Sequence, residues 1–202
     1  MKSRRPLIAG NWKMHKTGPE AVITAAALKP LVSEAADVDI MIAPTFTALA
    51  QVSEAITGSN IGLGAQNLYW ESQGAFTGEI SAEMIKAAGC QYVIIGHSER
   101  RQFFGETDQT VNRKIEKASQ AGLIPVFCIG ETEAQREAGE TFSVLDKQVK
   151  NGLESLFSEN LQTLVVAYEP VWAIGTGKTA TTEQAQEVHA HLRQWFADAY
   201  GA

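Results

Sequence analysis

Residues Gln91–Phe104 read QYVIIGHSERRQFF. The run from Tyr92 to Ile95 is apolar at every position, not at every second one. A strand with one wet face alternates, so a continuous run fits a strand buried on both faces, as in a parallel sheet. Gly96 ends the run, His97 follows, and SERR reads as the opening of a helix. The segment is a strand, a polar turn and a helix start in 14 residues.

The same order recurs along the chain. Apolar runs stand at PLIAGNW (Pro6–Trp12), VDIMIAP (Val38–Pro44), NIGLGAQN (Asn60–Asn67), QYVIIGH (Gln91–His97), LIPVFCIG (Leu123–Gly130) and LVVAYEP (Leu164–Pro170). Amphipathic segments separate them. In ETDQTVNRKIEKASQAGLIP, Val111, Ile115 and Ala118 share one helical face, and Gly122 is placed to stop the helix. Lys114 and Lys117 are expected at the negative end of its dipole. The last helix is expected over Thr182–Tyr200, with Ala185, Val188, Leu192, Phe196 and Ala199 on one stripe and a capping box of Thr181 with Gln184. Strands alternating with helices imply parallel pairing through right-handed crossovers. Six such units fill residues 1–202 as a single α/β domain, with no low-complexity linker or shift in composition. An open doubly wound sheet and a barrel both fit this pattern. In either one, ligands bind at the C-terminal ends of the strands.

Composition narrows the partners. The 202 residues are 45% hydrophobic and 20% charged, ordinary for a globular domain, with a net charge of −6. No basic stripe argues for nucleic acid. No run approaches the roughly 20 apolar residues of a membrane span, and the basic start MKSRRPLIAGNW lacks an apolar signal-peptide segment. Cys90 and Cys128 adjoin apolar runs and read as buried free thiols in a reducing cytoplasm. There is no Cys/His cluster at metal spacing, so the sequence offers no metal site.

The strand ends carry the chemistry. After the first run come Asn11, Lys13 and His15; after the fourth, His97, Ser98, Glu99, Arg100 and Arg101; after the sixth, Glu169. Each reads as ordinary on its own: Lys13 as a solvated loop lysine, His97 as a structural histidine, Glu169 as a salt-bridged strand end. Together they offer a cation, a neutral donor and a carboxylate. A helix N-terminus disfavours the protonated form of an adjacent imidazole, and a semi-apolar setting makes a carboxylate a better base. His189 and His191, on the last helix, are expected in solvent. A Ser98–His97 nucleophile pair is set aside, because neighbours on a strand end point apart.

The segment AYEPVWAIGTGKTA, Ala167–Ala180, ends in Gly177-Lys178-Thr179 and invites a phosphate-loop reading. That loop needs G-x-x-x-x-G-K-[ST], and its first glycine falls on Trp172. Residues Pro170, Val171, Trp172, Ala173, Ile174, Gly175, Thr176, Gly177, Lys178, Thr179 and Ala180 read better as a lid. Pro170–Trp172 would be its stiff front hinge and Lys178–Ala180 its rear one.

The motifs AGNWKM, GHSERR, CIGE and AYEPVWAIGTGKTA, each at a strand end and in this order, resemble the triosephosphate isomerase family along essentially the whole chain. The third loop, AQNLYWESQGAFTGEIS, resembles that family's dimer arm. The resemblance implies a (β/α)8 TIM barrel, of which residues 1–202 hold the first six units. It implies a cytoplasmic glycolytic and gluconeogenic enzyme, active as a homodimer without cofactor on a phosphorylated triose. By that resemblance Glu169 takes the proton beside the carbonyl, and neutral His97 polarises the carbonyl and moves protons between the two oxygens. Lys13 and Asn11 bind and position the substrate, and Glu99 supports Lys13. The Gly175 N–H binds phosphate when the lid closes, and Thr77 reaches the partner subunit. Proton abstraction next to a carbonyl needs these parts on physical grounds too: a base supplies about 10²–10⁴-fold and an oxyanion donor a further 10²–10³-fold or so.

The sequence departs from the family at its end, because nothing in 1–202 corresponds to the seventh and eighth units, whose loops usually build the phosphate site. The expectation is a retained part of a longer enzyme. Taken alone, the chain should bind phosphate about 10²-fold or more weakly and expose the edges of its first and sixth strands. Two rivals stand beside catalysis of isomerisation: an idle barrel fragment acting as an oligomerising or binding module, and a Schiff-base aldolase. The aldolase is disfavoured because Lys13 sits at a polar loop end, not in an apolar strand end.

Overall fold

The computed structural model describes residues 5–156 and 161–201. Six strands alternate with helices: β1 Leu7–Asn11, β2 Asp39–Ala43, β3 Ile61–Ala65, β4 Tyr92–Ile95, β5 Ile124–Ile129 and β6 Val165–Tyr168. Each falls inside its predicted apolar run. The α-helices are α1 Gly18–Val32, α2 Leu49–Ala55, α3 Ala82–Ala87, α4 Ser98–Phe103, α5 Asp108–Gln120, α6 Glu133–Glu137, α7 Thr141–Gly152 and α8 Thr182–Tyr200. No helix among the described residues is long and apolar enough to cross a membrane.

The chain forms two compact units. The first runs up to Ile94 and also takes Lys117–Pro125; the second holds Ile95–Glu116 and the chain from Val126 onward. In the first unit β1 pairs in parallel with β2, β2 with β3, and β3 with β4, in registers Ala9↔Met41, Ile40↔Ile61 and Gly64↔Tyr92. In the second, β5 pairs in parallel with β6, Val126 opposite Val165 and Ile129 opposite Tyr168. The first unit's core is built around Met41, Leu63, Leu68 and Ile85, and the second's around Phe127, Ile129, Ile115 and Leu145, all essentially inaccessible to water. Each such side chain contributes roughly 1.5–3 kcal/mol by leaving water.

The expectation of strands buried on both faces holds for β2 to β5 and fails at β1 and β6. No residue of β1 or β6 is fully buried, and Ile8 is 61% exposed. An apolar sequence states what a strand tolerates; whether anything covers it is a tertiary matter.

Helix α5 buries Val111, Ile115 and Ala118 completely, as its periodicity predicts, and Gly122 follows at φ +73°. Its lysines differ from expectation. Lys117 does lie in the last turn, where its Nζ pairs with Glu83 at 2.7 Å. Lys114 is instead buried mid-helix in an ion pair with the buried Glu106. A buried ammonium needs a counter-charge far more than it needs a dipole. In α8 the predicted capping box of Thr181 and Gln184 is present. Val188 and Leu192 are buried and Ala185 and Phe196 half-buried, but Ala199 is exposed. Ala199 lies in the last turn, beyond the contacts that His189 makes with Tyr168 of β6 and that His191 makes with Asp146 and Phe142 of α7. His189 is exposed as expected, whereas His191 is not: its Nε2 lies 2.6 Å from Asp146 Oδ1 and its ring packs on Phe142. Cys90 and Cys128 are buried and unpaired.

Candidate active site

The predicted site residues divide between the two units. In the first, Asn11 ends β1 and Lys13 follows with φ at +51°, a region few side-chain-bearing residues enter. Two bonds hold that conformation. Asn11 Oδ1 accepts the Lys13 N–H at 3.0 Å, and the Lys13 carbonyl accepts from Gln66 Nε2 at 2.8 Å. The same Gln66 nitrogen also donates to the Ala43 carbonyl at 2.8 Å, so the turn after β1 is tied to the end of β2. Strain of about 1–3 kcal/mol persists only where surrounding bonds enforce it. Gln66 carried no signal in the sequence beyond standing after a strand. His15 is exposed.

In the second unit, His97, Ser98, Glu99 and Glu169 come together. His97 caps α4, its Nδ1 accepting the Glu99 N–H at 3.2 Å. A nitrogen that accepts a hydrogen bond carries no proton, so the proton of this imidazole is on Nε2. That nitrogen lies 3.3 Å from Glu169 Oε2, and the two side chains are only 12% and 14% exposed. The carboxylate is held from the same turn: Ser98 N–H donates to Oε1 at 3.0 Å and Ser98 Oγ–H to Oε2 at 2.8 Å. Ser98 therefore serves Glu169 and is no nucleophile partner of His97. That role was illegible in the sequence, where 71 positions separate the two residues. Beneath them Cys128 is buried, and burial, then the negative Glu169 nearby, push its thiol well above the ordinary value, so it stays protonated.

Glu169 is positioned through its backbone as well. Its N–H donates to Ile129 O at 2.9 Å, extending the β5–β6 ladder by one residue. Its carbonyl passes so close to Gly130 that a Cβ there would lie 1.8 Å from the oxygen. Only glycine fits.

The segment from Pro170 to Ala180 starts with a 3-10 turn, Val171–Ala173, and continues through Gly175 and Gly177 at φ +69° and +79°. Its front is half-buried and residues 175–179 are exposed. The front is fastened to Glu131, whose side chain is wholly buried. Glu131 Oε1 accepts from Trp172 Nε1 at 2.9 Å, Tyr168 OH at 3.0 Å and Arg136 Nη1 at 3.0 Å. The Arg136 guanidinium also lies 5.0 Å from the Trp172 ring centre. Burial, then the Glu131 charge, raise the Tyr168 phenol above its ordinary value. The rear is fastened by the ion pair of Lys178 with Glu133, which raises the Lys178 ammonium. Both ends of the glycine segment are thus tied to the turn and helix after β5. Glu131 is the last residue of the CIGE motif, yet its function as a latch needed the fold to be seen.

Thr77 is exposed in the loop between β3 and α3, where the Tyr69 ring packs at a tilt against Trp70 and Phe76.

The family profile of triosephosphate isomerase matches residues 6–202. The chain belongs to the triosephosphate isomerase family. Its relatives agree. It is 57% identical over 197 residues to the triosephosphate isomerase of Endomicrobium trichonymphae, an alignment covering 98% of this chain and 79% of that one. It is 60% identical over 191 residues to that of Geobacter metallireducens, covering 95% and 76%. With that of Moorella thermoacetica it shares 55% over 198 residues, covering 98% and 79%. The six strand–helix units are therefore those of the family's TIM barrel, and the open doubly wound alternative falls away.

Proposed function

We propose that the chain interconverts dihydroxyacetone phosphate and D-glyceraldehyde 3-phosphate through an enediolate. Glu169 takes a proton from the carbon beside the carbonyl. His97 donates its Nε2 proton toward the carbonyl oxygen and carries protons between the two oxygens. The observation that carries this reading is the pairing of Glu169 Oε2 with His97 Nε2 at 3.3 Å while Nδ1 is occupied by the Glu99 N–H. A base and a neutral donor side by side suit proton abstraction next to a carbonyl. Glu169 rests on Ser98 in this structure, and it must exchange those bonds for the substrate carbon when it works. The family resemblance gives Lys13 the charge of the enediolate and phosphate, Asn11 the positioning of substrate and Glu99 a supporting role. It gives the Gly175 N–H a phosphate contact on lid closure, which excludes water and strengthens each of these interactions.

The same resemblance supports a homodimer through the loop that carries Thr77, and work in cytoplasmic glycolysis and gluconeogenesis without a cofactor. Met14, 92% exposed, and the part-exposed Phe76 offer apolar surface for the dimer contact in the first unit.

The test is formation of glyceraldehyde 3-phosphate from dihydroxyacetone phosphate, read through a coupled dehydrogenase. Glu169→Asp withdraws the base by one methylene, and displacement on the order of 1 Å costs roughly 10²-fold. A wild-type chain with no isomerisation, or a Glu169→Asp variant as fast as wild type, refutes the proposal. An inactive wild type that still self-associates would favour the binding-module alternative. A sedimentation mass equal to the monomer would remove the dimer.

A further inference from the structure

Gln148 lies on α7 beside Leu145 and Val149, which are buried in the second unit's core. Its carboxamide does not point to solvent. Oε1 accepts the Gly130 N–H at 2.9 Å, and Nε2 donates to the Gly130 carbonyl at 3.0 Å. Both polar groups of one backbone residue are satisfied by one side chain, as a neighbouring strand would satisfy them.

Gly130 stands at a sensitive place. On either side of it the chain bonds to the end of β6: Ile129 O accepts the Glu169 N–H at 2.9 Å, and Glu131 O accepts the Val171 N–H at 3.2 Å. Between these two bonds the Glu169 carbonyl lies where the Cβ of any other residue at 130 would stand, 1.8 Å away, with Val171 Cγ2 next at 3.3 Å. The backbone of Glu169 and the front of the lid segment therefore rest directly on the Gly130 backbone, with no side chain between to absorb a shift. A displacement of Gly130 therefore presses directly on the Glu169 backbone.

We propose that Gln148 is a positioning residue for Glu169, acting through the Gly130 backbone that its carboxamide clamps. It touches no substrate. It fixes the surface on which the backbone of the base rests, and so the reach of the carboxylate. This inference rests on the isomerase reading above for its effect on rate, but not for its effect on structure.

Gln148→Met keeps the length and packing of the side chain and removes both bonds. The expected result is a fall in kcat of about ten-fold, by loss of the base's alignment, with KM within about two-fold of wild type. A merely structural bond would instead lower the folded fraction and leave kcat per folded molecule unchanged. Amide hydrogen exchange, followed residue by residue by NMR, supplies a readout without turnover: the Gly130 and Glu169 amides should both exchange faster in the variant. Should Gln148→Met fail to fold, Gln148→Asn, which draws the carboxamide back by one methylene, should give the same pattern. A variant kcat within two-fold of an active wild type overturns the inference. So does a Glu169 amide whose exchange is unchanged. A wild type without isomerase activity defeats the proposed reaction, and the exchange data then decide on Gln148 alone.

Discussion

Glu131→Gln probes the contacts that hold the front of the Pro170–Ala180 segment. Three donors meet on Oε1: Trp172 Nε1 at 2.9 Å, Tyr168 OH at 3.0 Å and Arg136 Nη1 at 3.0 Å. Bonds to a charged acceptor contribute about 1.5–3 kcal/mol and neutral ones about 0.5–1.5 kcal/mol. Removing the charge therefore weakens the Trp172 and Tyr168 bonds by roughly 1–1.5 kcal/mol each, about 2–3 kcal/mol together, and leaves Arg136 without its counter-charge. Two effects oppose this. A buried carboxylate costs several kcal/mol in lost hydration, and that cost disappears with the charge. Arg136, whose side chain is 25% exposed, recovers water when it loses its partner. The expected net destabilisation is about 2 kcal/mol, a fall in Tm of roughly 4–8 °C for a chain of this size. The second expected outcome is more specific. The Glu131 charge is the second cause, after burial, of the raised Tyr168 phenol. In the variant that phenol should ionise at lower pH, visible in a spectrophotometric titration and assigned with Tyr168→Phe. A Tm within 1 °C of wild type together with an unmoved phenol would refute the reasoning, because it would leave the convergence on Oε1 without energetic weight.

The rear of the same segment is tied by the exposed pair of Lys178 and Glu133, and such a pair contributes roughly 0.2–1 kcal/mol. Glu133→Gln should therefore speed tryptic cleavage after Lys178 by about two- to five-fold, an effect that salt should erase in the wild type; equal cleavage rates at low salt would exclude the tether. For Cys128, the folded-state pKa is raised above 9.0 by burial, so above about pH 9 the unfolded chain loses a proton that the folded chain keeps. The unfolded state then binds fewer protons, and stability falls as pH rises, by about 1.4 kcal/mol at pH 10 for one such thiol. Cys90, pushed up to about 12 by burial, adds a second loss of the same sign. Urea unfolding at pH 7 and pH 10 should show Cys128→Ala losing less stability than wild type, and an identical loss in both would dismiss the argument.

The strands were legible because a continuous apolar run marks a strand whether or not both its faces end up covered, as β1 and β6 show. The stops were legible where the backbone demands a residue type, as at Gly122 with its positive φ. Helix α5 declared its face through Val111, Ile115 and Ala118, but Lys114 on the same helix misled. Its charge suggested surface, and only the nearby Glu106 carboxylate explains how it is buried. His191 misled for the same reason, since its partner Asp146 lies 45 positions away.

The sequence alone determined the repeating strand–helix order, the strand ends where titratable residues gather, and the motifs at those ends that hold Glu169 and His97. These follow from local composition and from short motifs, each written in a few consecutive residues. Only the tertiary structure decided that His97 Nδ1 accepts from the Glu99 N–H, that Ser98 holds the Glu169 carboxylate, that Glu131 and Glu133 fasten the two ends of the glycine segment, and that Gln148 grips Gly130. Those are distances of about 3 Å between residues remote along the chain, and a hydrogen bond has no trace in sequence until the backbone brings its two atoms together.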